Sequence, residues 1–169
     1  MAAYMALATP GPHHEALSAK AGSYKTTSKM WMDPSQPPME TAGTAEIEAV
    51  LGGRFVQEVT KANMMGMPWE GRGIFGYDNA TKKHTGTWFD SFGTMMMSFE
   101  GTCKDHCKQI SLTANYLDPV TKTEKGMKTV TEDKGDGVAV TTLYDLVDGK
   151  EVKMGIITYE RVSDQASRK

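Results

Sequence analysis

Two cysteines separated by three residues are the most chemically specific feature of the chain. Cys103 and Cys107 enclose Lys-Asp-His, so His106 lies between them. Three states are open: a metal site that includes His106, a disulfide across a hairpin turn, or two free thiols in an exposed loop. A structural zinc ion needs four ligands, and the sequence shows no second Cys/His pair at a recognisable spacing. We therefore expect free thiols, no metal site and no cofactor.

A second group of residues combines charge with aromatic surface. It comprises Arg54, Glu70, Arg72, Trp88, Asp90 and Glu100. Charges inside a protein must be paired or must meet a charged ligand, and an aromatic wall with a few fixed polar groups is typical of a small-molecule pocket. Together with Trp31, Tyr77 and Met96, this group is the predicted ligand-binding site. The alternative is that these charges lie on the outer surface in ordinary salt bridges.

The carboxylates of this group also leave an enzyme open. Asp90 and Glu100, with Arg54, are the candidates for acid–base catalysis of the cyclase or isomerase type. The sequence contains no nucleophile elbow, phosphate-binding loop or zincin motif. We therefore predict the binding of a small, partly apolar ligand, with a small enzyme that uses a carboxylate in the cavity as the alternative.

Methionine is unusually frequent, with 13 residues that include clusters at 64–67 and 95–97. Thioethers suit copper(I), but consecutive methionines on a strand point to both faces and do not build one metal site. Methionine is also flexible and polarizable, which suits an adaptable apolar pocket. Plain packing in a core is the remaining interpretation.

These residues lie in a ladder of short strands that runs from Gly22 to Arg161. Each strand is closed by a cluster of Gly, Pro, Asn or Asp. No helical segment separates the strands, so they must pair antiparallel, and a sheet this long tends to close on itself. The predicted fold is all-β: an antiparallel up-and-down β-barrel of about ten strands, with a short N-terminal helix over Pro12–Lys20 that caps one end. The predicted organisation is a disordered segment 1–11, a single barrel domain 12–162 and a polar tail 163–169.

Charge and hydropathy exclude several classes of function. The 19 basic and 21 acidic residues are interspersed, which does not resemble a nucleic-acid-binding surface. No stretch approaches the roughly 20 apolar residues of a membrane span, and the first 21 residues lack the pattern of a signal peptide. We expect a cytoplasmic protein with a small-molecule ligand and no nucleic-acid or membrane partner. A homodimer is the default expectation for a symmetric oligomer.

A family resemblance becomes visible along the chain. It rests on Met30-Trp31-Met32-Asp33-Pro34, Leu51-Gly52-Gly53-Arg54-Phe55, Met65-Gly66-Met67-Pro68-Trp69, Thr87-Trp88-Phe89-Asp90-Ser91 and Ile157-Thr158-Tyr159-Glu160-Arg161. In this order the segments resemble the bacterial domain-of-unknown-function family fifteen-seventy-nine. That family is similar to the calycin superfamily of β-barrels, which includes lipocalins, so the resemblance implies the same barrel fold and no assigned chemistry.

The resemblance to calycins also implies roles for three residues. Gly22-Ser23-Tyr24 stands where lipocalin-like barrels carry Gly-x-Trp, and Arg161 stands where an arginine of the last strand packs across that aromatic ring. We therefore expect Tyr24 and Arg161 to close one end of the barrel through a cation–π contact. Some calycin-like barrels bind haem through one histidine. His84 is the only candidate for such a haem ligand within the ladder. The alternative is that His84 is an ordinary polar histidine.

Overall fold

The computed structural model describes residues 1–162, and the predicted polar tail lies outside this range. Ten strands follow one another around a closed antiparallel barrel in the order of the sequence, so the predicted fold class is confirmed. The strands are β1 Gly22–Met30, β2 Met39–Val50, β3 Phe55–Met64, β4 Met67–Asp78, β5 Lys83–Asp90, β6 Met97–Lys104, β7 Gln109–Leu117, β8 Glu124–Gly135, β9 Val138–Val147 and β10 Lys150–Arg161.

Pairing of the first strand with the last closes the barrel. β1 pairs with β10 from Tyr24 opposite Arg161 to Met30 opposite Gly155, and it pairs with β2 on its other side. Every strand therefore has two neighbours, and no edge is left to pair with another chain. Short turns are sufficient because each strand runs antiparallel to the one before it.

Two short helices precede the barrel. Helix α1 covers Ala2–Ala8, within the segment predicted to be disordered. Helix α2 covers Pro12–Ser18 and is the predicted cap. Its first residue, Pro12, has the φ angle that the first turn of a helix needs, and the imidazole Nδ1 of His14 accepts a hydrogen bond from the backbone N–H of Gly11 (3.1 Å). Buried Leu17 fastens α2 to the apolar cluster inside the barrel. None of the helices within residues 1–162 is long and apolar enough to cross a membrane.

Helix α2 covers the end of the barrel where odd-numbered strands begin and even-numbered strands end. Tyr24 and Arg161 meet at this end, with the guanidinium carbon 5.0 Å from the centre of the phenol ring. The guanidinium also donates hydrogen bonds to the backbone carbonyls of Ala21 (2.6 Å) and Ala19 (3.1 Å). The expected cation–π closure is therefore present. It also ties the last strand to the segment that joins α2 to β1.

Two strand boundaries differ from the sequence pattern in a way that affects the site. β2 begins at Met39, directly after the Pro37-Pro38 pair, so it is longer than its alternating core suggested. β6 begins only at Met97, so two of the three clustered methionines, Met95 and Met96, belong to the loop before it and are exposed. The sequence pattern predicts this strand over 94–102, which begins too early because methionine fits both a strand and a loop.

Candidate functional site

The barrel is hollow. A cavity of about 440 Å³ lies between the strands and below α2, a size that falls within the usual range for small-ligand pockets. Most of its wall is aliphatic or aromatic, including Leu17, Val56, Phe75, Phe99, Leu112 and Ile157. Because side chains alternate across the wall, most of the lining residues of a strand stand two positions apart.

Methionines surround the cavity at the end away from α2. Met30 ends β1, Met64 ends β3, Met97 begins β6, and Met154 lies near the start of β10; all four line the cavity. The other members of the two methionine clusters are exposed. Unbranched thioether side chains at this end give the wall an adaptable surface.

Two tryptophans form a stacked pair in the aromatic part of the wall. The indoles of Trp69 and Trp88 are stacked, with ring centres 6.3 Å apart and planes at 29°. Gly71 faces both rings, and a Cβ at this position would overlap the indole of Trp88. The glycines of β4 therefore leave the space that the aromatic wall occupies.

A glutamate that sequence analysis did not select lies inside the barrel. The hydroxyl groups of Tyr159 (3.0 Å) and Thr60 (2.9 Å) both donate hydrogen bonds to Oε1 of Glu58. Glu58 and Tyr159 both line the cavity, and no described residue donates a hydrogen bond to the second oxygen, Oε2. The carboxyl group is therefore held in one orientation with one oxygen open to the cavity.

Burial controls the protonation of this pair. It raises the pKa of the Glu58 carboxyl above its usual value, although the hydrogen bonds from Thr60 and Tyr159 oppose part of that rise. Burial, followed by the neighbouring charge of Glu58, raises the pKa of the Tyr159 phenol well above its usual value. The phenol therefore remains a hydrogen-bond donor at neutral pH.

The barrel wall divides the predicted ligand-binding residues. Trp88 and Asp90 lie on the inner face of β5 and line the cavity. Glu70 and Arg72 occupy the outer face of β4, where Arg72 Nε lies 2.7 Å from Glu70 Oε1. The hydrogen bond from Arg72 holds the pKa of the Glu70 carboxyl below its usual value. This surface salt bridge is the alternative that the sequence left open for Glu70 and Arg72.

Three more predicted residues also lie away from the cavity. Glu100 is on the outer face of β6, in an ion pair with Lys83 (2.7 Å). Met96 borders a shallow depression on the same outer surface. Arg54 is exposed in the turn before β3 and donates a hydrogen bond to the carbonyl of Leu51 (3.2 Å). Arg54 and Glu100 therefore do not join Asp90 in a catalytic group, because they lie outside the wall that Asp90 faces from within.

The two remaining predicted residues have other contacts. Trp31 follows β1, and the ammonium nitrogen of Lys153 lies 5.1 Å from its ring centre. Tyr77 lies under α2, where its ring stacks on His13 at 3.9 Å between centres. It also contacts the rings of His14 and His84 edge-on.

A cluster of histidines and cysteines lies beside Tyr77, at the α2 end of the barrel. It consists of His13 from α2, His84 from β5, Cys103 from β6 and Cys107 from the following turn, with all four donor atoms within 4.8 Å of one another. Cys103 and Cys107 form a disulfide, so the expected free thiols are not observed and the disulfide alternative is. His106 is exposed and lies outside the cluster. The second pair of ligands that the sequence analysis did not find is His13 and His84.

The turn between β6 and β7 brings Cys107 into this cluster. Its residues Asp105, His106 and Cys107 have φ angles of 49°, 51° and 62°. Left-handed conformations cost non-glycine residues about 1–2 kcal/mol each. Such a run persists only where surrounding contacts hold it, and it is common at functional sites.

His84 is the most enclosed member of the cluster, with 2% of its surface exposed. Burial, with smaller contributions from His13, His14 and Lys20, lowers the pKa of His84 to about 4. Its Nε2 points at the cluster, 3.2 Å from Nδ1 of His13, and its buried Nδ1 has no hydrogen-bond partner among the described residues. The neutral imidazole therefore presents either a lone pair or an N–H at Nε2 to this group.

Comparisons with known proteins agree with the fold and assign no chemistry. Residues 9–161 match the model of the family described as protein of unknown function (DUF1579), which confirms the resemblance noted in the sequence. The crystal structure of Rv2717c from M. tuberculosis is similar, with a TM-score of 0.64 and 16% identity over 92% of this chain and 100% of that one. At this identity the likeness shows the fold alone. No curated protein matched the sequence.

Proposed function

The chain belongs to the family described as protein of unknown function (DUF1579), and we propose its function from its own cavity. The barrel binds a small, largely apolar molecule that carries one hydrogen-bond donor. The observation that carries this proposal is the Glu58 carboxyl group, which lines an otherwise mostly apolar cavity with Oε2 unpartnered among the described residues. A carboxylate oxygen that faces an apolar cavity meets few donors there, and a ligand donor would supply one.

The apolar part of the ligand would contact the aromatic and methionine wall. Trp69 and Trp88 offer flat faces, and the methionines at the end away from α2 can adjust to different shapes. The interior threonines are less available to a ligand, since Thr131 and Thr141 hydrogen-bond each other (2.8 Å). The polar contact at Glu58 would orient the ligand, and the apolar wall would supply most of the affinity.

N-phenyl-1-naphthylamine is a suitable probe because it is apolar, carries a single N–H donor and gains fluorescence in apolar surroundings. We expect a saturable fluorescence increase with one probe bound per chain. Ala139→Phe would place a ring in the cavity beside Tyr159, since Ala139 lines the cavity and pairs with Tyr159 across β9 and β10. This variant should lose at least about tenfold in affinity, because the probe and the new ring compete for the same space.

Val140→Phe is the matched control, because Val140 is the next residue of β9 and faces outward. It should bind the probe as the wild type does. Glu58→Gln should weaken binding less than Ala139→Phe does, since it changes the polar contact and keeps the volume. Absence of saturable binding to the wild type, or equal binding to Ala139→Phe and Val140→Phe, would overturn the proposal.

Acid–base catalysis on the bound molecule is a second candidate, favoured by the raised pKa of Glu58 inside the cavity. In this version Glu58, rather than Glu100, would transfer the proton. Mass spectrometry of a ligand that co-purifies with the wild type and with Glu58→Gln tests it. Conversion by the wild type alone supports catalysis, and recovery of the same unchanged ligand from both proteins supports binding alone.

A further inference from the structure

We propose that His13, His84, Cys103 and Cys107 bind one Zn²⁺ ion when the two cysteines are reduced. Four potential ligands from α2, β5, β6 and the β6–β7 turn converge on one point at the capped end of the barrel. Two imidazoles with two thiolates are one of the common ligand sets of structural zinc sites. This site is separate from the ligand proposed for the cavity, and it would exist whether or not the cavity binds a molecule.

The distances between the donor atoms fit a tetrahedral ion. Bond lengths of about 2.0–2.1 Å to nitrogen and about 2.3 Å to sulfur imply edges of about 3.3 Å between two nitrogens and about 3.6 Å between nitrogen and sulfur. Nδ1 of His13 lies 3.2 Å from Nε2 of His84, 3.4 Å from Sγ of Cys103 and 3.2 Å from Sγ of Cys107. Nε2 of His84 lies 3.6 Å from Sγ of Cys107. Four of the six edges therefore already have lengths close to those of a zinc site.

The surroundings hold the imidazoles in the orientation that coordination needs. The Tyr77 ring stacks on His13 at an angle of 6° and meets His84 edge-on at 5.0 Å. Nδ1 of His14 already accepts the Gly11 N–H, so that atom is engaged in capping α2. Within residues 1–162, His13 and His84 are therefore the two histidines that aim a ring nitrogen at the sulfurs.

Two edges remain. One joins His84 to Cys103, whose ligand atoms lie within 4.8 Å of each other. The other joins the two sulfurs, and its state depends on oxidation. In the disulfide the sulfurs share a bond and offer no thiolate. A phosphine reductant with water converts the disulfide into two thiols and a phosphine oxide, which supplies two electrons and two protons. Binding of Zn²⁺ to the two thiols then releases two protons. A small disulfide reverses the process. It takes two electrons from the two thiolates, which form the Cys103–Cys107 bond again and release Zn²⁺. The small disulfide takes up two protons and leaves as two thiols.

Zinc would fasten the cap to the barrel wall in a second way. His13 is the single ligand on α2, whereas the other three belong to the barrel. The ion would therefore link α2 directly to β5 and the β6–β7 turn. In the disulfide form α2 is held by the packing of Leu17, by the contacts of His13 and His14 with Tyr77 and His84, and by its flanking residues. The cluster thus couples the oxidation state of Cys103 and Cys107 to the attachment of the helix that closes the cavity.

A zinc titration of the full chain, in competition with a chromogenic chelator, tests the proposal. The same preparation is titrated after phosphine reduction and, separately, as the disulfide. We expect one tightly bound Zn²⁺ per reduced chain and at least tenfold weaker binding by the disulfide form. Co²⁺ in place of Zn²⁺ should give the visible bands of a tetrahedral ion and a thiolate charge-transfer band.

His13→Ala, with His106→Ser as its control, tests the ligand set. Loss of His13 should weaken zinc binding by at least about tenfold, whereas His106→Ser should bind as the wild type does, because His106 lies outside the cluster. Circular dichroism establishes that each variant keeps its strands. Equal zinc affinity in the reduced and disulfide forms, or in the wild type and His13→Ala, would overturn the proposal. The comparison of oxidation states needs no variant, so the test stands even where a substitution disturbs the cap.

Discussion

Glu58 is an ionisable residue in a position where an apolar side chain would normally pack. Its carboxyl group stays because two hydroxyl donors, those of Tyr159 and Thr60, hold one of its oxygens. These hydrogen bonds compensate only part of the cost of burial, so the pKa of Glu58 remains above its usual value. A group kept at such a cost is a candidate for function.

Glu58→Gln should change how stability depends on pH. In the wild type the folded state binds a proton more tightly than the unfolded state, whose glutamate pKa is about 4.3. The stabilising contribution is therefore complete below that value and is lost as pH rises through the higher folded pKa. Glutamine does not titrate, so the variant should escape this loss and be more stable than the wild type at pH values above the folded pKa of Glu58. Urea denaturation at several pH values measures this difference.

Glu48→Gln is the control, because Glu48 is an exposed glutamate of the neighbouring strand β2. It should follow the wild-type profile. The interpretation of Glu58 as a destabilised buried acid fails if Glu58→Gln and the wild type have parallel profiles between pH of about 4 and 8.

At the scale of secondary structure, α2 and the β6–β7 turn are the two irregular parts that complete the capped end. Helix α2 has only seven residues, too few to be stable in isolation. Its stability must come from packing, and Leu17 supplies that packing at 5% exposure within the core cluster. The left-handed turn at 105–107 in turn presents Cys107 to the helix.

Leu17→Ala should lower the free energy of unfolding by about 2–5 kcal/mol, since it removes a buried side chain and leaves a cavity next to the existing one. Urea denaturation followed by tryptophan fluorescence measures the effect. Glu15→Ala, an exposed position of the same helix, should change stability by less than about 0.5 kcal/mol. If both variants lose the same stability, the helix is not anchored through Leu17.

For the molecule as a whole, closure is the decisive property. The two ends of the ladder meet where Tyr24 pairs with Arg161. The Arg161 guanidinium links β10 to the Tyr24 ring of β1 and to two backbone carbonyls of the segment after α2. This arrangement removes both sheet edges and keeps the cavity enclosed at one end.

Arg161→Ala should cost about 2–3 kcal/mol, because it leaves two carbonyls without their charged donor and removes the cation–π contact. Arg161→Lys should recover only part of this, since an ammonium group lacks the planar fork that reaches both carbonyls. Arg72→Ala is the control: it removes an exposed surface salt bridge and should cost at most about 1 kcal/mol. Thermal unfolding of the three variants ranks these effects, and an equal loss in Arg161→Ala and Arg72→Ala would contradict the closing role of Arg161.

The barrel could be predicted because its signal is local. Turn residues and alternation mark each strand, and the pairing of neighbours in sequence order follows from short connections. Alternation also divides β4 into two faces, Trp69, Phe75 and Tyr77 on one and Glu70, Arg72 and Ile74 on the other. Which set points inward depends on what the rest of the barrel buries, and that depends on all ten strands together.

The sequence by itself predicted about ten strands and their antiparallel order, and its family resemblance implied the closing pair of Tyr24 and Arg161. Only the tertiary structure decided which charges are enclosed: Glu58 lies inside, whereas Glu70, Arg72 and Glu100 lie outside. It also decided what the Cys103–Cys107 pair meets. His13 is 90 and 94 residues from the two cysteines along the chain, and His84 is 23 residues from Cys107, so no local pattern links them. They converge because an up-and-down barrel places the start of β5, the end of β6 and the capping helix at one end.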